Sequence, residues 1–353
     1  MSKIIILGDK GHNVTVGHSY NLKFYDLFSH YTGYELYYPE PTLSTDYKGW
    51  RRLFAPIQKI GLIKQFSKGD IIIFGDTTYK YHILLILFCY LFTRYRTCVI
   101  VHHFQYLQFT GVKRFFYYSL QKLYYSLISE VIVPSPYTLD IAQRLYPKKN
   151  IVYIPLPFQH IYQPSTEYKR GEILYVGTID RRKGVKYLVK AAKQLKKSGK
   201  QFHINIVGKV TDVAYYEEIK EYITNEDLQE YITFFGRVSI DELNKFYAEA
   251  ELFVLPSLLE GYGIVLIEAF QRGLPIVAFN NSAIPYTVKN GENGFLANNK
   301  DYNDLACKIK QILGDITLRL KMQKNIENTI QNLSSEEDFK NALRVFSNRL
   351  IVK

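Results

Sequence analysis

Cysteine is scarce: the chain has three in 353 residues, Cys89, Cys98 and Cys307. They have no metal-ligand spacing, and their odd number argues against a disulfide framework, so a reducing compartment is expected. Long apolar runs are missing too. The longest, ILLILFCYLF at residues 83–92, is about ten residues, half of the roughly 20 that a spanning helix needs. The first residues, MSKIIILGDKGH, reach a charged pair after a short isoleucine run. They lack the apolar length and cleavage site of a signal peptide and read as a first β-strand. There is no internal repeat and no low-complexity tract. A cytoplasmic globular protein of two domains is the expectation from length and composition.

Acidic residues are thin in the first half. Residues 1–165 hold 18 Lys+Arg against 9 Asp+Glu, while residues 166–353 hold 27 against 24. The overall +12 is therefore mostly a property of the first half, which calls for an anionic partner: nucleic acid, a membrane surface or a phosphorylated ligand. Nucleic acid is the weakest of the three, since no helix-turn-helix, zinc or aromatic-sheet motif accompanies the charge.

What the chain does have is a rhythm. β-Branched runs at 3–7, 70–74 (DIIIF), 97–101 (TCVIV) and 130–133 (EVIV) alternate with segments of helical length. That is the βαβ pattern of a parallel sheet covered on both faces. After a proline-spaced stretch with Pro155, Pro157 and Pro164, the pattern restarts at 172–176, 203–207, 232–235, 252–255 and 275–278. The sequence thus predicts an N-terminal α/β domain over 1–165, a second over 166–335, and a C-terminal helix over 336–353 that packs back toward the first.

Two loops draw attention. EGYGIVLIEAF (260–270) carries two glutamates eight positions apart around an apolar run. It follows a predicted strand, so Glu260 falls on a loop at the carboxyl edge of the sheet, where open α/β sheets bind ligands. Gly261 and Gly263 permit close backbone approach, and the N–H groups of Gly263, Ile264 and Val265 would point from a helix N-terminus suited to a diphosphate. Glu268, one turn further on, could reach a sugar hydroxyl. The second loop, Gly177-Thr-Ile-Asp-Arg-Arg-Lys-Gly184, again joins strand to helix and presents Arg181, Arg182 and Lys183. These cations could neutralise a diphosphate as it departs.

The segments ITFFGRVSIDELNKFYAEAELFVLPSLLEGYGIVLIEAFQRGLPIVAF (232–279), VGTIDRRKGVKYLVKAA (176–192) and NGENGFL (290–296) resemble the retaining glycosyltransferases of family 4. The spaced glutamates are similar to that family's E-x7-E motif. The resemblance is close over roughly residues 170–300 and only in outline before that. It implies a GT-B fold, two Rossmann-like domains facing a cleft that closes on its substrates. It also implies roles: Arg182 and Lys183 on the donor diphosphate with Arg181 as the alternative arginine, Glu260 on the transferred sugar, and Glu268 on the ribose. Gly208, with Arg237 and Val238 of the next turn, would line the nucleoside pocket. In the first domain His102, with His103 as the alternative, would reach the sugar's hydroxyls, and Gly17 would stand for the family's glycine-rich turn near Gly8 and Gly11. The family's Pro-Glu pair is replaced here by Pro285-Tyr286.

The implied reaction is transfer from a nucleotide-sugar to a glycan, lipid-linked or protein-linked acceptor, with no cofactor and no metal. A non-catalytic nucleotide-sugar or polyanion binder and a GT-B sugar epimerase are the alternatives. Residues 47–69 have six basic side chains and no acid among apolar ones, and residues 113–125 repeat the mixture. Both suit peripheral attachment to an anionic bilayer, or else crossover helices with a wet basic face.

Overall fold

The computed structural model describes residues 2–7, 16–38, 61–75, 79–92, 95–165 and 167–352. Gly8, Gly11 and residues 47–60 lie outside them. The chain divides into two units, Met1–Phe158 with Ser334–Lys353, and Gln159–Leu333. The division falls within the proline-spaced stretch, ahead of the 165/166 boundary read from sequence.

In the first unit the strands are β1 (Lys3–Leu7), β2 (Glu35–Tyr37), β3 (Ile71–Gly75), β4 (Arg96–Ile100), β5 (Glu130–Val133) and β6 (Ile151–Tyr153). They form a parallel sheet in the order β2-β1-β3-β4-β5-β6. Ile4 pairs with Ile71 and Ile6 with Ile73, and all four are buried. Burial on both faces is why these strands read as continuous isoleucine runs rather than alternating ones, and each such side chain contributes about 2 kcal/mol. The last helix, Glu336–Val352, belongs to this unit and lies on Val16–Thr32. Phe346 stacks on Phe28 with centroids 5.6 Å apart, Phe339 meets Tyr20 edge-on, and Lys23 pairs with Glu336 at 2.7 Å.

In the second unit β7 (Glu172–Val176), β8 (His203–Val207), β9 (Ile232–Gly236), β10 (Leu252–Leu255), β11 (Ile276–Phe279) and β12 (Gly294–Ala297) make another parallel sheet. Its order is β12-β11-β10-β7-β8-β9. Successive strands step outward on one side from β7 to β9, then the chain crosses back to place β10 on β7's other side. The topological switch point therefore lies between β7 and β10.

Three strands, β2, β6 and β12, are not among the runs read from the sequence. β2 is a three-residue edge strand with partly exposed side chains, and β12 opens on a glycine; neither carries the β-branched run that marks a buried strand. Of the basic stretch 47–69, only residues 61–69 are among those described. There Leu62 and Phe66 are buried in the core of the first unit, while Lys64 and Lys68 are exposed. Among the described residues, no helix is long and apolar enough to cross a membrane.

Candidate functional site

Strands β7 and β10 are paired, Leu252 with Ile173 and Phe253 with Leu174, so the loops leaving their carboxyl ends start side by side. Each loop ends in a glycine with a left-handed backbone that caps the next helix. Gly184 (φ +68°) precedes Val185–Lys197, and Gly263 (φ +84°) precedes Ile264–Gln271. A Cβ on Gly184 would sit 2.0 Å from the Pro256 carbonyl oxygen. The two loops are thus in backbone contact, closer than any other residue allows.

The contact is extended by hydrogen bonds. Leu258 N donates to the Arg182 carbonyl at 2.8 Å, and Arg182 Nη1 donates to the Leu259 carbonyl at 3.0 Å. Lys183 Nζ reaches Glu260 Oε1 at 2.6 Å, with Arg182 Nη1 at 3.9 Å from the same oxygen. Glu260 is 6% exposed. A carboxylate this buried needs its charge matched, and the two cations of the β7 loop match it. Its backbone N–H donates to Ser282 Oγ at 2.9 Å, and Ser282 holds an unusual φ of +47° after β11. Loops from three adjacent strands, β7, β10 and β11, therefore meet at Glu260.

On the β7 loop, Asp180 accepts from Lys183 N at 3.0 Å and from Thr178 Oγ1 at 2.7 Å. This short turn aims Lys183 and Arg182 toward the β10 loop. Arg181 goes the other way. It pairs with Glu218 and, at 3.6 Å, with Asp212, and lies over the Tyr215 ring, all on or at the start of the helix Val213–Asn225. Beneath the loop, buried Tyr175 donates to the Thr178 carbonyl at 2.9 Å. Burial first, then the nearby charge of Glu260, pushes its phenol well above the usual tyrosine range.

Beyond the β10 loop, Leu266 N donates to the carbonyl of the capping Gly263 at 2.9 Å, and the N–H groups of Ile264 and Val265 precede the first bonds within the helix Ile264–Gln271, as at every helix start. They carry the positive end of its dipole. Glu268 stands on the second turn, half-buried, and accepts from the Tyr247 hydroxyl at 3.0 Å. Tyr247 is itself buried, and burial followed by the Glu268 charge raises its phenol well above the ordinary value.

The remaining candidates of this unit sit on the same edge of the sheet. Gly208 follows β8, where a Cβ would lie 1.9 Å from the Gly177 carbonyl oxygen, and Gly208 N donates to the Gly236 carbonyl at 2.8 Å. Exposed Arg237 and half-buried Val238 follow β9. In the spatial order β10-β7-β8-β9, Glu260, Lys183, Gly208 and Arg237 leave four adjacent strand ends.

The first unit holds the other two. His102 lies just past β4, half-buried, with Nε2 2.9 Å from Asn21 Oδ1 and its ring edge-on to Tyr20 at 5.6 Å. Gly17 lies on the same helix as Asn21, four residues earlier, so the two occupy one face of Val16–Thr32. His103 is also half-buried.

Sequence reading passed over Asp180, Ser282, Tyr175, Tyr247 and Asn21. Asp180 had a local signal, an Asp three residues before the amide that it receives. The other four act across 3 to 81 positions, and only Tyr175's bond is local.

Residues 159–329 match the family Glycosyl transferases group 1, nearly the same stretch of chain as the second unit. Among curated proteins, the chain is 30% identical over 161 residues to an uncharacterized glycosyltransferase of Methanocaldococcus jannaschii, covering 45% of this chain and 43% of that one. It is 31% identical over 177 residues to the O-antigen chain mannosyltransferase B of Escherichia coli, covering 47% and 44%. The chain spans less than half the length of these relatives. Among solved structures, the sucrose-phosphate synthase from Thermosynechococcus elongatus superposes with a TM-score of 0.79 at 20% identity over 99% of both chains. Anabaena HepE in complex with UDP and glucose gives 0.71 at 17% identity, over 99% of this chain and 100% of that one. The fold class is GT-B, two Rossmann-like units with C-terminal helices, and the second unit is similar in sequence to the group 1 glycosyl transferases.

Proposed function

We propose that this chain is a retaining glycosyltransferase of family 4 that moves a sugar from a nucleotide-diphosphate donor to a glycan, lipid-linked or protein-linked acceptor. The observation that carries the reading is the meeting of Lys183 and Arg182 with the Glu260 loop at the switch point, one loop before the helix start at Gly263. Two cations and a helix N-terminus are what a diphosphate requires, and the site sits where parallel sheets bind nucleotides.

In this reading the donor diphosphate takes over Lys183 and Arg182 and frees Glu260 for the hydroxyls of the transferred sugar. Glu268, held by Tyr247, takes the ribose, and Gly208, Arg237 and Val238 border the nucleoside. His102 is assigned to the sugar's hydroxyls from the first unit, with Gly17 near the donor phosphates. The bond between the anomeric carbon and the phosphate oxygen breaks while the acceptor oxygen bonds on the same face. The acceptor proton passes to the departing phosphate oxygen. A double displacement would need a carboxylate nucleophile about 5 Å from its acid partner, and the resemblance supplies none. The largest contribution then comes from stabilising the negative charge that grows on the leaving diphosphate. Neutralisation is assigned to Arg182, Lys183 and the helix end, so transfer is taken to be metal-independent.

The experiment is a thermal-stability screen against UDP-, GDP- and ADP-sugars, followed by proton NMR of the product's anomeric configuration. One nucleotide class should raise the midpoint by several degrees at saturation. No stabilisation by any nucleotide-sugar, or an inverted product, would refute the reading.

A further inference from the structure

Two neighbouring helices of the first unit, Tyr79–Phe92 and Gly111–Leu127, leave apolar side chains in solvent in an ordered way. Val112, Phe115, Phe116 and Leu123 are all exposed, Val112 at 86% and Phe115 at 71%. Their spacing of i, i+3, i+4 and i+11 puts them on one stripe of the helix. On the first helix Leu84, Leu87 and Leu91 form a matching stripe, with Phe92 beside it at 72% exposure.

The opposite faces of both helices are already used. Leu85, Ile86 and Cys89 from one, and Tyr124 and Tyr125 from the other, join a single core cluster with sheet residues such as Phe74 and Val99. The helices therefore cover the same side of the sheet, and their outer stripes look outward together. Single exposed apolar residues are ordinary on a protein surface, but a contiguous set on adjacent helices marks a contact surface.

Charge identifies the partner. Neither helix contains an aspartate or glutamate. Lys113 and Lys122 are exposed and flank the Phe115 stripe, lying 4.4 Å and 5.6 Å from the rings of Phe109 and Tyr118. Exposed Lys64 and Lys68 stand by the turn Gly61–Gln65, and Leu62 and Phe66 enter the same core cluster. A second copy of the chain pairing through this face would set lysine against lysine with no acid to separate them. The occupant has to be apolar and anionic at once. We infer that this face docks on an anionic lipid bilayer, the aromatic and leucine stripes entering the headgroup boundary and the lysines meeting lipid phosphates. The inference uses no residue assigned to glycosyl transfer and stands or falls separately.

The test is flotation of the full chain with vesicles of phosphatidylcholine alone or mixed with phosphatidylglycerol, at low and high salt. Binding is expected only to the anionic vesicles, and it should weaken with salt. Lys113→Gln/Lys122→Gln should lower the partition coefficient about fivefold per lysine, the worth of one basic side chain at such a surface. Phe115→Ser/Phe116→Ser should reduce it at least as much, and both positions are exposed enough to change without disturbing the core. Failure to float with anionic vesicles at low salt overturns the inference. So does equal binding by the variants. A concentration-dependent dimer that the phenylalanine variant abolishes, without lipid binding, would assign the face to a second copy instead.

Discussion

Lys183 and Glu260 are 77 positions apart, yet Lys183 Nζ lies 2.6 Å from Glu260 Oε1, with both side chains largely out of solvent. The pair exists because β7 and β10 are sheet neighbours across the switch point. Removing either member leaves a buried charge with weaker compensation, so the site is both a structural joint and a candidate for phosphate capture.

Lys183→Ala should lower kcat for sugar transfer by more than about a hundredfold, on the order of 3 kcal/mol, if the ammonium stabilises the leaving diphosphate. Steady-state kinetics on a variant with normal circular dichroism measures it. Near-wild-type turnover would take Lys183 out of the mechanism.

Gly184→Ala should destabilise the chain far more than Gly199→Ala. Both glycines have left-handed φ, +68° and +67°, but a Cβ at 184 meets the Pro256 carbonyl oxygen at 2.0 Å, whereas one at 199 meets nothing within 4 Å. The Gly199 change should cost about 1 kcal/mol from backbone strain alone, and Gly184 at least about 2 kcal/mol more from the clash. Comparing thermal midpoints decides; equal losses would mean the loops separate without cost.

Tyr247→Phe removes the donor to Glu268 and should raise the donor KM roughly tenfold, with a smaller change in kcat. The same variant has a pH signature. The folded phenol lies above the ordinary value of 10.0 because of burial and the Glu268 carboxylate. Its contribution is therefore fully present below about pH 10 and is lost as pH rises toward the folded value. Thermal midpoints between neutral pH and pH 10.5 should fall more steeply for the parent chain than for Tyr247→Phe. Parallel curves would count against this environment for Tyr247.

A chelator should leave transfer unchanged, since charge neutralisation is assigned to Arg182, Lys183 and the start of Ile264–Gln271. The measurement is the initial rate before and after treatment with EDTA. A tenfold loss restored by Mg2+ or Mn2+ would require a different account of leaving-group stabilisation.

The sequence by itself determined the two α/β units, most of the strands and the two glycine-bearing loops. Those features follow from local rules: buried parallel strands need unbroken β-branched runs, and a strand-to-helix turn in contact with another backbone needs glycine. It also placed Arg182, Lys183 and Glu260 in one list of candidates, without saying which would touch. Tertiary structure decided that. Of three consecutive basic residues, the turn around Asp180 sends Arg182 and Lys183 to Glu260 and leaves Arg181 to Glu218 and Asp212. Tyr247 beneath Glu268 and Ser282 behind Glu260 were likewise invisible, because partners 21 and 22 positions apart meet only when neighbouring strands and helices pack. The same holds for the basic segments of the first half. Composition alone does not distinguish a core-facing Tyr124 from an exposed Phe116 on one helix; which face is buried depends on the sheet it covers.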